Sequence, residues 1–305
     1  AATKEGRGII QAATAAGKCL GFNTPVLMFD GTVKKVQDIK KGDLLMGPDS
    51  DPRKVESVTS GKEEMFRIVP KDGSDPYSVN KSHILSLVIS GNKSVSGYEQ
   101  GIPFNIEMSD YLNETKTFKH CAKAWRTEVH WDNKKLPIDP YFFGLWLGDG
   151  SNFHLNTIYT PDIEIKEYLK EFAEDFGMKL LISKDSGCDR ISIVNHRRGE
   201  NNQILDILRK MGVQKNKHIP HEYKTSSKLD RLELLAGIID TDGHKNKRGY
   251  DFITKYGVFA HDVVFLARSL GLSARVVSSY KKSQTMSERK EYFRVFIGGD
   301  AWKIP

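Results

Sequence analysis

The sequence predicts two kinds of fold in one chain, a β-rich first part and an α+β second part built from two repeats. Apolar and polar residues alternate between frequent turns from residue 19 to about residue 90, which is typical of strands. The texture changes at Pro137 and Pro140, and two later stretches, FFGLWLGDG and LLAGIIDTDG, head segments of matching order. Repeated units of helix and strand indicate an α+β architecture with a pseudo-two-fold axis.

Composition favours an intracellular globular protein. The 305 residues are 39% hydrophobic and 28% charged, and no run of eighteen apolar residues is present, so we expect no membrane span. Three scattered cysteines predict neither a disulfide framework nor a zinc site, and the start lacks the apolar core of a secretory signal. The net charge is +7, and from Phe176 to Pro305 the chain holds 24 basic and 14 acidic residues, as a nucleic-acid surface requires.

The start of the chain is similar to a phosphate-binding loop that stops one residue short. Ala12 to Lys18 read AATAAGK, but Cys19 stands where a Ser or Thr should hold magnesium. One interpretation is therefore a P-loop ATPase or helicase fragment. The sequence speaks against it, since neither a long helix pattern nor a DExH-like acidic motif follows the loop.

Turn and strand signals continue through the first part. Asp30-Gly31 is a hairpin signal between two strand-like runs, and EMFRIVP and YSVNKSHILSLVI continue the strand pattern. Residues 91–135 are mixed and polar, and we predict only that they continue this region.

Each repeat of the second part is predicted to begin with a capped helix. Asp139 caps a helix that has Pro140 at its first position and ends at Asp149, and Ser227 caps a helix that ends at Asp242. Each helix is followed by a second helix, by strands, and by a closing KNKHIP or AWKIP. The matching order indicates an internal duplication.

The first helices of the two repeats are each predicted to end in an aspartate, and these two aspartates are expected at the same end of the helix pair. Aligning them on Asp149 and Asp242 sets Gly144 against Gly237, and small residues allow helix backbones to approach closely. Two carboxylates at helix C-termini oppose the helix dipoles and repel each other, and a divalent cation offsets both effects. We interpret the pair as a Mg²⁺ site for cleavage of two phosphodiesters. The alternative is that GDG and TDG only end the helices.

FFGLWLGDG and LLAGIIDTDG resemble the paired signatures of LAGLIDADG homing endonucleases, and the endings KHIP and KIP resemble that family's lysine motif, at Lys217 and Lys303. The stretch CLGFNTPVLMFDGTVKKVQDIKKGDLLMG resembles the N-terminal splicing block of an intein. The resemblance implies a β-rich, Hint-like splicing domain followed by an α+β pseudo-two-fold LAGLIDADG endonuclease domain. The implied segments are a remnant of the N-terminal host segment (N-extein) at 1–18, the N-terminal part of the splicing domain at 19–135, and the endonuclease at 136–305, with repeats at about 136–220 and 226–305.

The intein resemblance also implies roles in splicing. Cys19 would attack the carbonyl of Lys18 and form a thioester. The T-x-x-H pattern of the family reads Asn80-Lys81-Ser82-His83 here, so His83 would protonate the amide nitrogen of the scissile bond. Asn80 replaces Thr and would orient or polarise that bond through a hydrogen bond to a carbonyl. By itself, His83 suits a core histidine equally well.

The resemblance implies partners as well. Inteins end in His-Asn followed by Cys, Ser or Thr, whereas this sequence ends in DAWKIP, so we expect the C-terminal intein segment to lie outside this chain. The other implied partners are the flanking exteins and double-stranded DNA of the intein-free host gene, a helicase-type ATPase interrupted within its P-loop. We expect a monomer that needs Mg²⁺ for DNA cleavage and no cofactor for splicing. A DNA-binding relic with an inactive nuclease is the remaining alternative, disfavoured because both aspartates are present.

Basic and polar side chains on the strands of both repeats are predicted to contact phosphates and base edges. Each of them also suits a solvated surface position. The candidates are Arg190, Asn195, Arg197, Arg198, Lys281, Lys282, Arg289 and Arg294. Lys217 and Lys303 are predicted to be equivalent residues beside the DNA backbone that stabilise developing charge or activate water.

Overall fold

The computed structural model describes residues 4–12, 19–91, 93–185, 187–282 and 289–305. The chain divides into two units, Ala1–Thr127 and Glu128–Pro305, and each unit has its own cluster of buried apolar side chains. Most of the P-loop-like segment, including Lys18, lies outside the described residues. No helix in the described ranges is long and apolar enough to cross a membrane.

The first unit consists mainly of short strands, as the alternation predicts. A 3-10 turn at Val36–Asp38 and two short helices complete it. The strands are β1 (Lys4–Ala12), β2 (Cys19–Gly21), β3 (Pro25–Leu27), β4 (Val33–Lys35), β5 (Leu44–Met46), β6 (Pro52–Lys54), β7 (Ser57–Ile68), β8 (Tyr77–Asn80), β9 (Ile84–Ile89), β10 (Pro103–Glu107) and β11 (Ala122–Ala124), and the helices are α1 (Met108–Asn113) and α2 (Lys116–Cys121).

Four of these strands close into a barrel in the order β1, β2, β8, β7. β2 pairs with β8 through Leu20 and Val79, so the start of β2 lies beside the end of β8. This register brings Cys19 next to Asn80. The strand β1 belongs to the predicted host segment, and its backbone pairs with both β2 and β7.

The hairpin predicted at Asp30-Gly31 is confirmed. β3 and β4 pair with Val26 opposite Lys34, and Gly31 has a φ of 82°. Glycine adopts this left-handed conformation without steric cost. The carboxylate of Asp30 accepts a hydrogen bond from the backbone N–H of Thr32 at 2.9 Å and fixes the turn.

The segment after β9, which the sequence pattern leaves unassigned, contains β10, α1, α2 and β11. β10 and β11 flank β9 in a three-stranded sheet. Thr115 caps α2 by accepting from the N–H of Phe118 at 3.1 Å, and Phe118 is fully buried with its ring 5.6 Å from that of Tyr98. Elements this short give too few repeats of the hydrophobic period to be recognised.

The second unit alternates helices and strands. Its helices are α3 (Pro140–Asp149), α4 (Ile163–Asp175), α5 (Gln203–Lys210), α6 (His221–Lys224), α7 (Lys228–Asp242) and α8 (Gly257–Ser269), with a 3-10 turn at Ala301–Lys303. Its strands are β12 (Thr157–Thr160), β13 (Met178–Asp185), β14 (Cys188–Asn195), β15 (His244–Asn246), β16 (Gly249–Thr254), β17 (Ser273–Lys282) and β18 (Arg289–Gly298).

The duplication extends to the register of the strands. One sheet has the order β12, β14, β13 and the other has the order β15, β16, β18, β17. The hydroxyls of Thr160 and Thr254 each accept from the backbone N–H two residues later at 3.2 Å. These threonines therefore correspond, and so do Thr157 and Asp251, three residues before them. Two positions after Thr157 and Asp251, the facing residues are Arg190 and Arg294. These two arginines are therefore equivalent positions, which the sequence alignment on the aspartates did not reveal.

The leading helices α3 and α7 pack backbone against backbone. A Cβ placed on Gly144 would lie 2.4 Å from the carbonyl oxygen of Leu234 and 3.0 Å from the Cα of Gly237. A Cβ on Gly237 would in turn lie 2.4 Å from the carbonyl oxygen of Tyr141. The close approach predicted from the small residues is thus confirmed, and glycine is required at both positions of this helix seam.

The predicted helix caps are also confirmed. The carboxylate of Asp139 accepts from the N–H of Phe142 at 2.8 Å, with Pro140 at the first helical position. The hydroxyl of Ser227 accepts from the N–H of Asp230 at 3.2 Å. The caps define where α3 and α7 begin, and the common register of the seam makes both helices end at the same side.

Candidate active sites

A polar cluster surrounds Cys19 in the first unit. Its backbone N–H donates to Oδ1 of Asn80 at 2.9 Å, and its Sγ lies 3.9 Å from Oε1 of Glu63. The Nδ2 of Asn80 donates to Oε2 of Glu63 and to Oγ of Ser82, both at 2.8 Å. Cys19 and Asn80 are 1% and 0% exposed, Ser82 is half-buried and Glu63 is exposed, so the network leads from the buried thiol to the surface.

The geometry changes the expected contact of Asn80. The sequence predicts a hydrogen bond to a carbonyl, whereas the structure shows Asn80 accepting from the N–H of the peptide bond between Lys18 and Cys19. That N–H must meet the amide oxygen, because Nδ2 is committed to Glu63 and Ser82. Asn80 therefore contacts that peptide bond through the nitrogen of Cys19.

His83 follows Asn80 in a tight turn. Its backbone N–H donates to the carbonyl of Asn80 at 3.2 Å, and its carbonyl accepts from the N–H of Met108 at 2.8 Å. The side chain is half-buried. The turn holds the imidazole within three residues of the amide that orients the Cys19 peptide.

Glu63 is a member of this cluster that the sequence did not reveal. It lies on β7, and no local motif joins it to Cys19. The side-chain period of a strand places Glu63 on the same face as Met65, whose register partner is Asn80. The pairing of β7 with β8 is the signal that places it, and that pairing follows from the closed barrel.

The acids of the second unit lie at the ends of α3 and α7. Burial, followed by the charge of Asp242, raises the pKa of Asp149 to about 6, while Lys217 opposes the shift. Burial also raises the pKa of Asp242, again against Lys217. The charges of Asp242 and Lys217 act on Asp149, and the charge of Lys217 acts on Asp242, so both acids and Lys217 belong to one electrostatic cluster.

Lys217 closes the C-terminal end of α3. Its Nζ donates to the carbonyls of Trp146, Gly148 and Gly150 at 3.2, 2.9 and 2.9 Å. The residue is 4% exposed, and burial lowers its pKa to about 8 although both acids act to raise it. An ammonium group at a helix C-terminus satisfies the free carbonyls and the dipole together.

Lys303 has a different environment, and the prediction that it is equivalent to Lys217 is wrong in this respect. Its Nζ pairs with Asp300 at 3.0 Å and lies 5.9 Å from the centre of the Trp302 ring. Its side chain is 38% exposed, and its charge acts on Glu128. Only Lys217 of the two contributes to the electrostatics of Asp149 and Asp242 in the described part of the chain.

The two equivalent arginines lie on the sheet faces that point away from the core. Arg294 pairs with Asp251 at 2.7 Å and lies, with Arg275, over the ring of Phe296. Burial pushes the pKa of Asp251 upward, but hydrogen bonds from Asn246 and Arg294 hold it below its usual value. The buried Nε of Arg190 has no hydrogen-bond partner among the described residues. In the second repeat, Arg294 is thus held by the carboxylate of Asp251. The first repeat has Thr157 at the position of Asp251, so Arg190 lacks this carboxylate partner.

The remaining DNA-contact candidates are scattered. Asn195 donates to the carbonyl of Asn201 at 3.0 Å and so stabilises the loop after β14. Arg197 and Arg198 are exposed in that loop, and Arg289 is exposed at the start of β18. The backbones of Lys281 and Lys282 end β17, opposite Lys290 and Arg289. These positions are distributed over both sheets and are not gathered with the two acids.

Asp149 and Asp242 suit a metal ion whose remaining ligands come from the substrate and water. Within the described ranges, no group of three or more His, Cys, Asp or Glu side chains could hold a metal ion. Mg²⁺ is commonly bound through one or two carboxylates together with phosphate oxygens and water. Asp149 is half-buried and Asp242 is exposed, and desolvation raises the pKa of both. The pair fits that pattern, since a cation would offset this desolvation and the repulsion that Asp242 exerts on Asp149.

Comparison with known proteins finds a family model that matches part of each unit. The model of the Hint family that is associated with homing endonucleases matches residues 19–136. The model of the homing endonuclease family matches residues 218–303. The two matches cover the Cys19 cluster in the first unit and the second repeat with Asp242 in the second unit.

Curated proteins also show similarity. The replicative DNA helicase DnaB of Mycobacterium intracellulare is 25% identical over 308 residues, 94% of this chain and 48% of that protein. The catalytic subunit of the V-type proton ATPase of Candida tropicalis is 20% identical over 85% of this chain and 35% of that protein. The homothallic switching endonuclease of Saccharomyces cerevisiae is 28% identical over 49% of this chain and 30% of that protein. The chain spans half or less of the length of these relatives.

Solved structures of the homing endonuclease I-DmoI are similar over about half of the chain. A set of its mesophilic variants is 13% identical with a TM-score of 0.38, and covers 53% of this chain and 88% of that one. A complex of I-DmoI with DNA and Mn is 13% identical with a TM-score of 0.38, over 53% of this chain and 89% of that one.

Proposed function

Because the chain carries a homing-endonuclease-associated Hint domain and a homing endonuclease domain, we propose that it is an intein with a LAGLIDADG-type nuclease. It splices itself from a host protein and cuts both DNA strands of the intein-free host allele. The observation that carries the nuclease function is the glycine seam of α3 and α7, which ends at Asp149 and Asp242.

The splicing reaction begins at Cys19. Its Sγ attacks the carbonyl carbon of Lys18, and the C–N bond of the peptide breaks to give a thioester and the free amine of Cys19. Asn80 holds the N–H of that peptide at 2.9 Å and fixes its orientation. His83 supplies the proton that the departing nitrogen needs.

The nuclease reaction takes place at the acid cluster. Asp149 and Asp242 would hold Mg²⁺, which supplies charge stabilisation to the phosphodiester and a more acidic bound water. Each acid serves one strand, because each comes from one repeat. Lys217 keeps a positive charge beside the cluster and favours negative charge developing on the phosphate. Arg190 and Arg294 contact DNA at equivalent places in the two half-sites.

The host protein is an ATPase interrupted within its P-loop. Residues 12–18 read AATAAGK before Cys19, and two similar curated proteins are named as a replicative helicase and a catalytic component of a proton ATPase. The DNA target is then the uninterrupted P-loop region of the host gene. Splicing also requires the flanking exteins and a C-terminal intein segment, and the nuclease acts as a monomer.

A plasmid carrying the uninterrupted P-loop codons tests the nuclease. We expect double-strand cleavage with magnesium and none with EDTA. Asp149→Asn or Asp242→Asn should slow double-strand cleavage by roughly 10²-fold or more, the usual effect of losing one electrostatic stabiliser. Binding of the same DNA should persist. Asp175→Asn, at the exposed end of α4, is the matched control. Cutting of both strands by either active-site variant at the normal rate would disprove the two-acid mechanism.

A further inference from the structure

The carboxylate of Glu63 contacts two side chains at the proposed splice junction, the thiol of Cys19 and the amide of Asn80. One oxygen lies 3.9 Å from Sγ of Cys19, which is within hydrogen-bonding distance for sulfur. The other oxygen accepts from Nδ2 of Asn80 at 2.8 Å. A single side chain of β7 therefore joins the nucleophile to the residue that orients the peptide under attack.

The thiol needs a proton acceptor. Burial, together with the charge and hydrogen bond of Glu63, raises the pKa of Cys19 to about 11. A thiol with such a pKa is ionised in only about one molecule in 10⁴ at pH 7. The thiolate is the nucleophile, so attack from this buried position requires that the proton leaves as the sulfur approaches the carbonyl.

We propose that Glu63 is the general base that removes the thiol proton of Cys19 in the first step of splicing. This inference rests on the proposed splicing function. The proton moves from Sγ to Oε1 of Glu63, and Sγ bonds to the carbonyl carbon of Lys18. The C–N bond then breaks, His83 gives a proton to the nitrogen, and a thioester and an amine result. Return of the proton from Glu63 to the imidazole restores both groups.

Glu63 has a second effect through Asn80. Its hydrogen bond to Nδ2 turns the amide oxygen of Asn80 toward the N–H of Cys19. Ser82 supplies the other acceptor for Nδ2 at 2.8 Å. Glutamine at position 63 would keep an oxygen for Asn80 but could not accept the thiol proton, so Glu63→Gln separates the two effects.

The first measurement is the rate at which a strong thiol releases residues 1–18 from the full chain, followed by mass spectrometry. Glu63→Gln should slow release by about 10²-fold or more, the contribution of a positioned base. Glu63→Asp should keep part of the rate. Glu64→Gln, on the opposite face of β7, is the matched control and should keep the full rate.

The second measurement is the pKa of the Cys19 thiol, followed by thiolate absorbance in a chain with Cys121→Ser and Cys188→Ser. Removing the charge of Glu63 should lower this pKa, although release becomes slower. A purely structural role would not combine a more acidic thiol with a slower reaction. An unchanged thiol pKa, or release that is as fast as in the wild type, would overturn the role of Glu63.

The proposed function is judged separately by Cys19→Ala. Loss of release in that variant supports Cys19 as the nucleophile, whatever the result for Glu63→Gln. Equal release from Cys19→Ala and the wild type, or no release from the wild type when the C-terminal intein segment is supplied, would overturn the splicing function and the inference with it.

Discussion

Asp149 is a half-buried acid whose ionised form is disfavoured by desolvation and by the charge of Asp242, and the folded protein keeps it at an energetic cost. An acid with a raised pKa binds more protons in the folded state than in the unfolded state over the window between the two pKa values. For Asp149 this window extends from its ordinary pKa of 3.8 to about 6. Without metal, the free energy of unfolding should therefore fall as the pH rises through that window.

Asp149→Asn should remove much of this pH dependence. In EDTA, we expect the variant to exceed the wild type in free energy of unfolding at pH 7 by about 1–3 kcal/mol, on the basis of 1.4 kcal/mol per pKa unit. Urea unfolding at several values between about pH 4 and pH 7 measures the slope. Asp175→Asn should keep the wild-type slope, because Asp175 is exposed. If Asp149→Asn keeps the wild-type dependence of unfolding free energy on pH, the pKa of Asp149 is not raised in the folded protein.

The two lysines show where residue-level sequence reasoning fails. Lys217 and Lys303 close the two repeats at matching places, so a shared role was a reasonable prediction. In the structure Lys217 is buried on three carbonyls, whereas Lys303 forms an exposed pair with Asp300. The difference depends on which backbone ends each lysine can reach, and that information is not contained in a motif of four letters.

The helix seam is a property of two elements, and its glycines should tolerate no side chain. Gly144→Ala would place a methyl group 2.4 Å from a backbone oxygen, which the packed helices can relieve only by moving apart. We expect a loss of about 1–3 kcal/mol in unfolding free energy, the usual cost of overpacking. Cleavage should slow as well, because the helices carry Asp149 and Asp242. Thermal unfolding and the plasmid assay measure the two effects.

Gly61→Ala is the control for this change. A Cβ at Gly61 meets nothing within 4 Å, so stability should stay within about 0.5 kcal/mol of the wild type. A Gly144→Ala variant as stable as Gly61→Ala would contradict the packing of α3 on α7.

The elements also show which parts of the fold the sequence could predict. α3 and α7 were predictable, because Asp139-Pro140 and Ser227 are local caps and the aspartates end both helices. α5 and the short elements of residues 91–135 were not, because each of them spans too few periods of the hydrophobic pattern to be recognised. The neighbourhood of Glu63 depends on strand register across the barrel, which no local pattern encodes.

At the scale of the whole molecule, the residues proposed for the two activities lie in separate units. Every group assigned to thioester formation within the described residues lies in Ala1–Thr127, and every group assigned to DNA cleavage lies in Glu128–Pro305. Each unit has its own buried apolar cluster. A substitution in one site should therefore leave the packing and the charges of the other site unchanged.

The two activities should accordingly be separable by single substitutions. Cys19→Ala should abolish thiol-dependent release of residues 1–18 and leave the rate of plasmid cleavage within about two-fold of the wild type, since sites that share no interaction partners behave additively. Asp149→Asn should do the reverse. Both assays are run on the same four proteins, which are the wild type, each single variant and the double variant. The double variant should lose both activities and should resemble Asp149→Asn in its unfolding free energy. Slower release caused by Asp149→Asn, or slower cleavage caused by Cys19→Ala, would show that the units are energetically coupled and that the assignment of one activity to each unit is incomplete.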